Sequence, residues 1–235
     1  MKRLRQPLTY RGMVASDDLV HAAQDSPEKV IAPSCVEVPG GWFVAQYAPT
    51  VVGTSIAYDP PNNCDGNFMS SKFQPNNNCY NYACNIATNS YAQPGRKHGL
   101  ILGFPPTGPR TVEGAQKDGL IYLGGADMPL SQVTPPSSDG HLAALFISPP
   151  SPYTLWLGDY HWVRSDDRYT FQSWSQKDGG DQVTNFDFAG HPITNPAVAN
   201  WTVNLGWLFD FPGDLVVNYD FYAWMWIPEN GVHII

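Results

Sequence analysis

Apolar positions change their rhythm partway along this chain. From residue 141 onward they gather into runs separated by polar turns. His141–Ser148 and Leu215–Ile227 are apolar on both alternating sets of positions. Runs of that kind predict strands buried on both faces. Tyr153–Leu157, Tyr160–Arg164 and Thr170–Trp174 complete a β-rich second half. Before residue 120 the pattern is broken by polar and turn-forming residues. Gly41–Tyr47 has strand composition, whereas Tyr58–Asn78 is rich in Asn, Pro and Ser and reads as loop. Over Cys79–Ser90 the spacing turns helical: Tyr80, Ala83 and Ala87 share one face, with Cys79, Tyr82 and Ile86 beside them. Asn78 is a suitable N-cap, and Gln93-Pro94-Gly95 is the predicted stop. Gly99–Phe104 reads as a strand or as the exit from that helix. Thr111–Asp118, after Gly108-Pro109, is a second helix, and Leu120–Leu123 a short strand.

Residues 1–34 are polar and mixed, with a short helix expected over Ser16–Ala23, and read as an N-terminal arm. Residues 35–235 read as a single domain. The element order predicts an α+β fold, an antiparallel β-sheet with a short helix set packed on one face and many long loops.

Composition supports a folded chain. Hydrophobic residues make up 43% and charged residues 14%, the reverse of a disordered segment. Twenty-two prolines and 21 glycines, without period, fit many turns. The net charge is −8 and the cations form no stripe; only Lys2, Arg3 and Arg5 cluster. Nucleic acid and anionic membrane surfaces are therefore disfavoured as partners. No apolar run approaches the roughly 20 residues of a membrane span. Gln6–Arg11 stands where a signal peptide would carry its apolar segment. The expectation is synthesis in the cytoplasm, with delivery by a dedicated secretion system as one route outward. The four cysteines, Cys35, Cys64, Cys79 and Cys84, are too few for a disulfide scaffold and contain no CxxC zinc spacing. Asp178–Asp181 lacks the alternating ligands of a calcium loop. No metal or organic cofactor is expected.

The chemically marked segment surrounds Cys79. A thiol at a helix N-terminus has its pKa lowered by unpaired N–H groups and the helix dipole. Gln74 and the Asn76–Asn78 run offer oxyanion donors. His141, after Asp139-Gly140, opens a buried strand and is the candidate base, with Asp159 or His161 as the group that orients it. Against this stands core packing: free cysteine is often a small buried residue, and Cys35, Cys64 and Cys84 read that way. His161, flanked by Tyr160 and Trp162, fits a structural role slightly better than a catalytic one.

The order of cysteine at a helix start, histidine opening a strand and polar residue on the next strand resembles the papain-like fold. The pattern over residues 75–165 is similar to NlpC-type and CHAP-type amidases and peptidases. Asp139-Gly140-His141-Leu142-Ala143-Ala144-Leu145 carries the resemblance best, while Asn78 and Tyr80 replace the usual neighbours of the nucleophile. The resemblance implies a cysteine hydrolase of amide or peptide bonds, with Cys79 as nucleophile, His141 as base and Gln74 beside the oxyanion. Its substrate would be a peptide or peptidoglycan-like chain. A toxin-like effector would bring an immunity or inhibitor protein, and acyl transfer would use the same residues. The alternative is a non-catalytic structural or binding protein. In that reading the 8 Trp, 12 Tyr and 11 Phe line a β surface that recognises glycan or protein.

Overall fold

The computed structural model describes residues 68, 76–151, 153, 156–166, 170–180, 183–207 and 214–235, and the backbone alone of 35–38, 42–45 and 205–207. The expected helix over Ser16–Ala23, Cys64 and Gln74 lie outside the described residues.

The continuous apolar runs are explained by a sheet with two buried faces. β4 (Gly140–Ser148) sends Leu142, Ala144 and Phe146 to one core, and Ala143 and Leu145 to another on the opposite side. β10 (Asp220–Pro228) divides likewise, Trp224 and Trp226 to the first core and Ala223, Met225 and Ile227 to the second. Six strands make this sheet in the order β3-β10-β4-β5-β6-β7, every neighbour antiparallel. The others are β3 (Ile121–Gly125), β5 (Asp159–Ser165), β6 (Trp174–Lys177) and β7 (Val183–Thr184). Residues paired across β4 and β10, such as Leu142 with Trp226 and Ala144 with Trp224, keep their side chains on one face.

The first core is closed by a two-stranded ribbon, β8 (Thr202–Trp207) with β9 (Asp214–Asn218), through Val203, Leu215 and Val217. A further hairpin pairs β1 (Cys35–Val38) with β2 (Trp42–Ala45). The second core is closed by helices: α1 (Cys79–Cys84) brings Cys79, Tyr80 and Ala83, and α2 (Gly108–Lys117) brings Ala115. The chain is thus mostly antiparallel β with few helices, as an α+β reading requires.

Several expectations change. α1 is six residues long and does not reach Ser90, because Asn85 adopts the left-handed conformation (φ 56°) and its N–H closes on the carbonyls of Asn81 and Tyr82. Gln93-Pro94-Gly95 is a turn beyond that end. Gly99–Phe104 is irregular, and within Tyr153–Leu157 Trp156 forms an isolated bridge with Ser151. Leu215–Ile227 splits at Tyr219 into β9 and β10, which lie in different sheets.

One close approach locks the helical layer. A Cβ on Gly114 of α2 would stand 2.5 Å from the Pro94 carbonyl oxygen, and one on Gly95 (φ 79°) would stand 2.8 Å from the Gly114 Cα. Two backbones touch there because neither residue has a side chain. Gly114→Ala is expected to lower stability by about 1–3 kcal/mol through overpacking, measured by chemical denaturation.

Candidate functional site

The Asn-rich entry to α1 is a hydrogen-bonded hub. Asn78 caps the helix, its side-chain oxygen accepting from the N–H of Tyr80 (3.1 Å) and Asn81 (3.0 Å). Asn81 answers by accepting from the Asn78 N–H at 3.2 Å, a capping box in which asparagine stands where glutamate is usual. The same Asn81 oxygen accepts from the Ala92 N–H (3.0 Å), and its amide donates to the Ile86 carbonyl (2.9 Å) and the Thr88 hydroxyl (2.8 Å). Both acceptor sites and both donors of this buried side chain are therefore used. Asn77 and Asn89 exchange bonds at 2.8 and 3.0 Å, and Asn78 donates to the Ala92 carbonyl at 2.9 Å. The segment after α1 is folded back along the segment before it.

Buried cations from the sheet grip both ends. Lys177 of β6 donates to the carbonyls of Asn77 and Gly179 at the helix entry. Arg164 of β5 donates to the Tyr82 carbonyl (3.4 Å) and the Asn85 side chain (3.2 Å) at the exit, and its guanidinium lies 4.1 Å from the Tyr82 ring centroid. A cation at a helix C-terminus also complements the dipole. Asp166 lies 3.5 Å from Arg164 and accepts from Ser175 at 2.8 Å, and Ser175 bonds the Tyr82 hydroxyl at 2.8 Å.

Cys79 occupies the first turn of α1, as expected, but its thiol is fully buried. Burial pushes its pKa well above the ordinary value, and the nearby Asp159 adds to the rise. The Trp162 backbone N–H and Lys177 pull the other way and are outweighed. At this depth desolvation is the largest influence on the thiol. His141 does lie on the helix-bearing face of the sheet. Its Nε2 contacts the carbonyl of Ala83, four residues along the helix from Cys79, or about 6 Å up the axis. His161 belongs to the other core. Its Nε2 bonds Gln176 at 2.7 Å, and its ring packs against Phe188, Trp201 and Tyr219. Asp159 accepts from the Tyr160 N–H (2.8 Å) and the Tyr219 hydroxyl (3.1 Å). The fold thus brings Asp159 into electrostatic reach of Cys79, holds His141 at the far end of the helix and sends His161 through the sheet.

A second polar centre had no signal beyond a polar residue closing an amphipathic helix. Asp118, just after α2, accepts from the Tyr80 hydroxyl (2.8 Å) and the Gly95 N–H (2.7 Å), and His98 lies 3.6 Å from its other oxygen. Burial raises its pKa, while those three groups act to lower it. No group of three or more His, Cys, Asp or Glu among the described residues is arranged to hold a metal ion. None of the helices among the described residues is long and apolar enough to cross a membrane.

With this geometry in hand, comparison with known proteins places the chain in a family of shell matrix proteins. The relative that shows it is insoluble matrix shell protein 1 of Ruditapes philippinarum, 34% identical over 146 residues, which span 60% of this chain and 84% of the relative. No family model matches the chain, and no solved structure matches it. The papain-like reading, with its NlpC-type and CHAP-type analogy, is therefore corrected. So is the function drawn from it, a cysteine peptidase or amidase acting on peptidoglycan as an effector. A cysteine at a capped helix start followed by a histidine-led strand is a pattern that internal packing produces as readily as catalysis does.

Two outcomes are expected of the buried network. Asn81→Ala removes the side-chain acceptor of two buried N–H groups, those of Asn78 and Ala92; at about 1–3 kcal/mol for each, thermal unfolding should show a large drop in midpoint. The second concerns pH. Burial raises the pKa of Cys79, Cys84, Tyr80 and Tyr160 together. For groups raised on folding, the stabilising contribution is complete below the unfolded value and is lost as pH climbs through the folded one. Stability should hold up to the ordinary thiol value of 9.0 and fall above it, with the phenols adding to the loss above 10.0, measured as urea midpoint against pH.

Proposed function

We propose that this protein is a non-catalytic structural component of an insoluble shell matrix. The observation that carries the reading is the identity to insoluble matrix shell protein 1 over most of that relative's length. Its chemistry supports the same view. The polar residues that suggested catalysis are spent on internal bonds. Asn78, Asn81, Lys177 and Arg164 hold one helix to the sheet, and the Cys79 thiol sits inside the core. The tryptophans are internal as well. Trp156, Trp162, Trp174, Trp201, Trp224 and Trp226 are all buried, so among the described residues tryptophan forms no exposed row for stacking on a glycan. What this chain, of net charge −8, offers a matrix is a folded block in which residues 35–235 act as one unit. Export from the cell belongs to this reading.

Sequential extraction tests it. An antibody to this chain, applied to the source organism's matrix after salt, detergent and then chaotrope, is expected to find the protein only in the chaotrope step. Recovery in the salt extract would refute the structural assignment.

A further inference from the structure

Asn200-Trp201-Thr202 is the one place in the chain where asparagine stands two residues before serine or threonine with a residue other than proline between. An asparagine in that setting can receive an oligosaccharide on its side-chain nitrogen. The triplet alone is short, and chance produces it often. What decides is whether the fold leaves room for a sugar, because a chain modified as it is made must still close its core around the product.

Trp201, the middle residue, is taken up by the first core. It is 5% exposed, its ring centroid lies 4.7 Å from that of Phe146 and 5.2 Å from that of Phe188, and its Nε1 donates to the Pro196 carbonyl at 2.7 Å. Neighbours along an extended chain point to opposite sides. Asn200 is accordingly exposed, and its Oδ1 accepts from the Thr202 N–H at 2.9 Å. The Thr202 hydroxyl donates to the exposed Asn218 of β9 at 2.6 Å. Backbone bonds fix Asn200 from behind: its N–H donates to the Asp187 carboxylate at 2.9 Å, and its carbonyl accepts from the Phe188 N–H at 3.0 Å. The group left over is Nδ2, which meets no acceptor among the described residues. Val198, two residues before, is 80% exposed, so the surface beside that amide is open. Asn77, Asn78 and Asn81 differ on every point, being buried with their amides bonded internally.

We propose that Asn200 carries an N-linked oligosaccharide, received from a lipid-diphosphate carrier as the chain enters the secretory route. Nδ2 bonds to the anomeric carbon of the first sugar, and that carbon's bond to the carrier's diphosphate oxygen breaks. The lipid diphosphate leaves with the electron pair, and one amide proton passes to a base of the transferase. The site rests on the matrix reading for the export it requires. A bulky hydrophilic group here keeps this end of the β8–β9 ribbon in water, so contacts with the rest of a matrix fall to other faces.

Peptide mass spectrometry on protein isolated from the source organism reads the site. Peptide N-glycosidase in heavy-oxygen water turns a glycan-bearing asparagine into labelled aspartate. The peptide spanning residue 200 is expected to carry that label, with a matching loss of mass from the intact chain. Asn200 found bare throughout overturns the proposal. Secretion of the full chain from cultured animal cells, behind a cleavable leader, gives a second reading. Wild type and Thr202→Ser should emerge with one glycan, and Thr202→Ala and Asn200→Asp with none. Asn200→Asp keeps an oxygen for the Thr202 N–H, so it separates loss of the sugar from loss of the fold, which circular dichroism checks. Wild type secreted bare, or Asn200→Asp secreted with its glycan, also overturns the site. Extraction is a separate measurement. A glycosylated chain recovered in salt would refute the matrix role and support the site, and a bare chain recovered in chaotrope would do the reverse.

Discussion

A helix of six residues does not hold itself together in water. Nucleation alone is unfavourable, and isolated helices shorter than about 12–15 residues are marginal even in favourable sequences. α1 carries a poor helix former, Asn81, near its middle and ends on another, Asn85. Its existence therefore depends on what grips its ends: Asn78 and Lys177 at the entry, Asn85 and Arg164 at the exit. The side chains of one helical turn are thereby pressed against the sheet, and the second core closes over them.

The arrangement turns an energetic liability to use. Burying Lys177, Arg164 and three successive asparagines from Asn76 to Asn78 costs solvation that only complete pairing can offset. Asn81, with every donor and acceptor engaged, meets that demand. Networks of this kind specify one geometry, because a partly made version is worse than none. The large aromatic core on the other side of the sheet is less particular: tilted and edge-on contacts, such as Phe221 with Trp224 at 4.5 Å and Phe146 with Trp201 at 4.7 Å, tolerate small adjustments.

Much of the sheet could be read from the chain. The apolar runs at His141–Ser148 and Leu215–Ile227 announced strands buried on both faces, and β4 and β10 are central. Asn78 was legible as a cap because capping is local chemistry. The end of α1 was not, since Asn85 can close a helix or sit within one, and only the surrounding bonds decide. The split at Tyr219 was hidden because the run looked continuous: Leu215, Val216 and Val217 are all apolar, yet in the ribbon Leu215 and Val217 enter the first core while Val216 is exposed. The site was misread on depth. Cys79 and His141 share a side of the sheet, as their order suggested, but periodicity says nothing about whether a helix start faces water. His161 shows the limit most simply, since its position in β5 sets its face, and the face was knowable only once its neighbours' cores were assigned.

The hydrogen bonds of Asn81 have a bearing on the ageing of the molecule. Asparagine decays by attack of the following backbone nitrogen on its side-chain carbonyl carbon. Here that nitrogen, of Tyr82, donates to the Asn78 carbonyl at 3.1 Å, and the side chain is tied at both of its ends. The flexibility that the ring closure requires is withheld. Conversion to aspartate would remove both amide donors and leave a negative charge in the middle of the hub. On the matrix role proposed for it, the bonds that fold the helix also slow this decay.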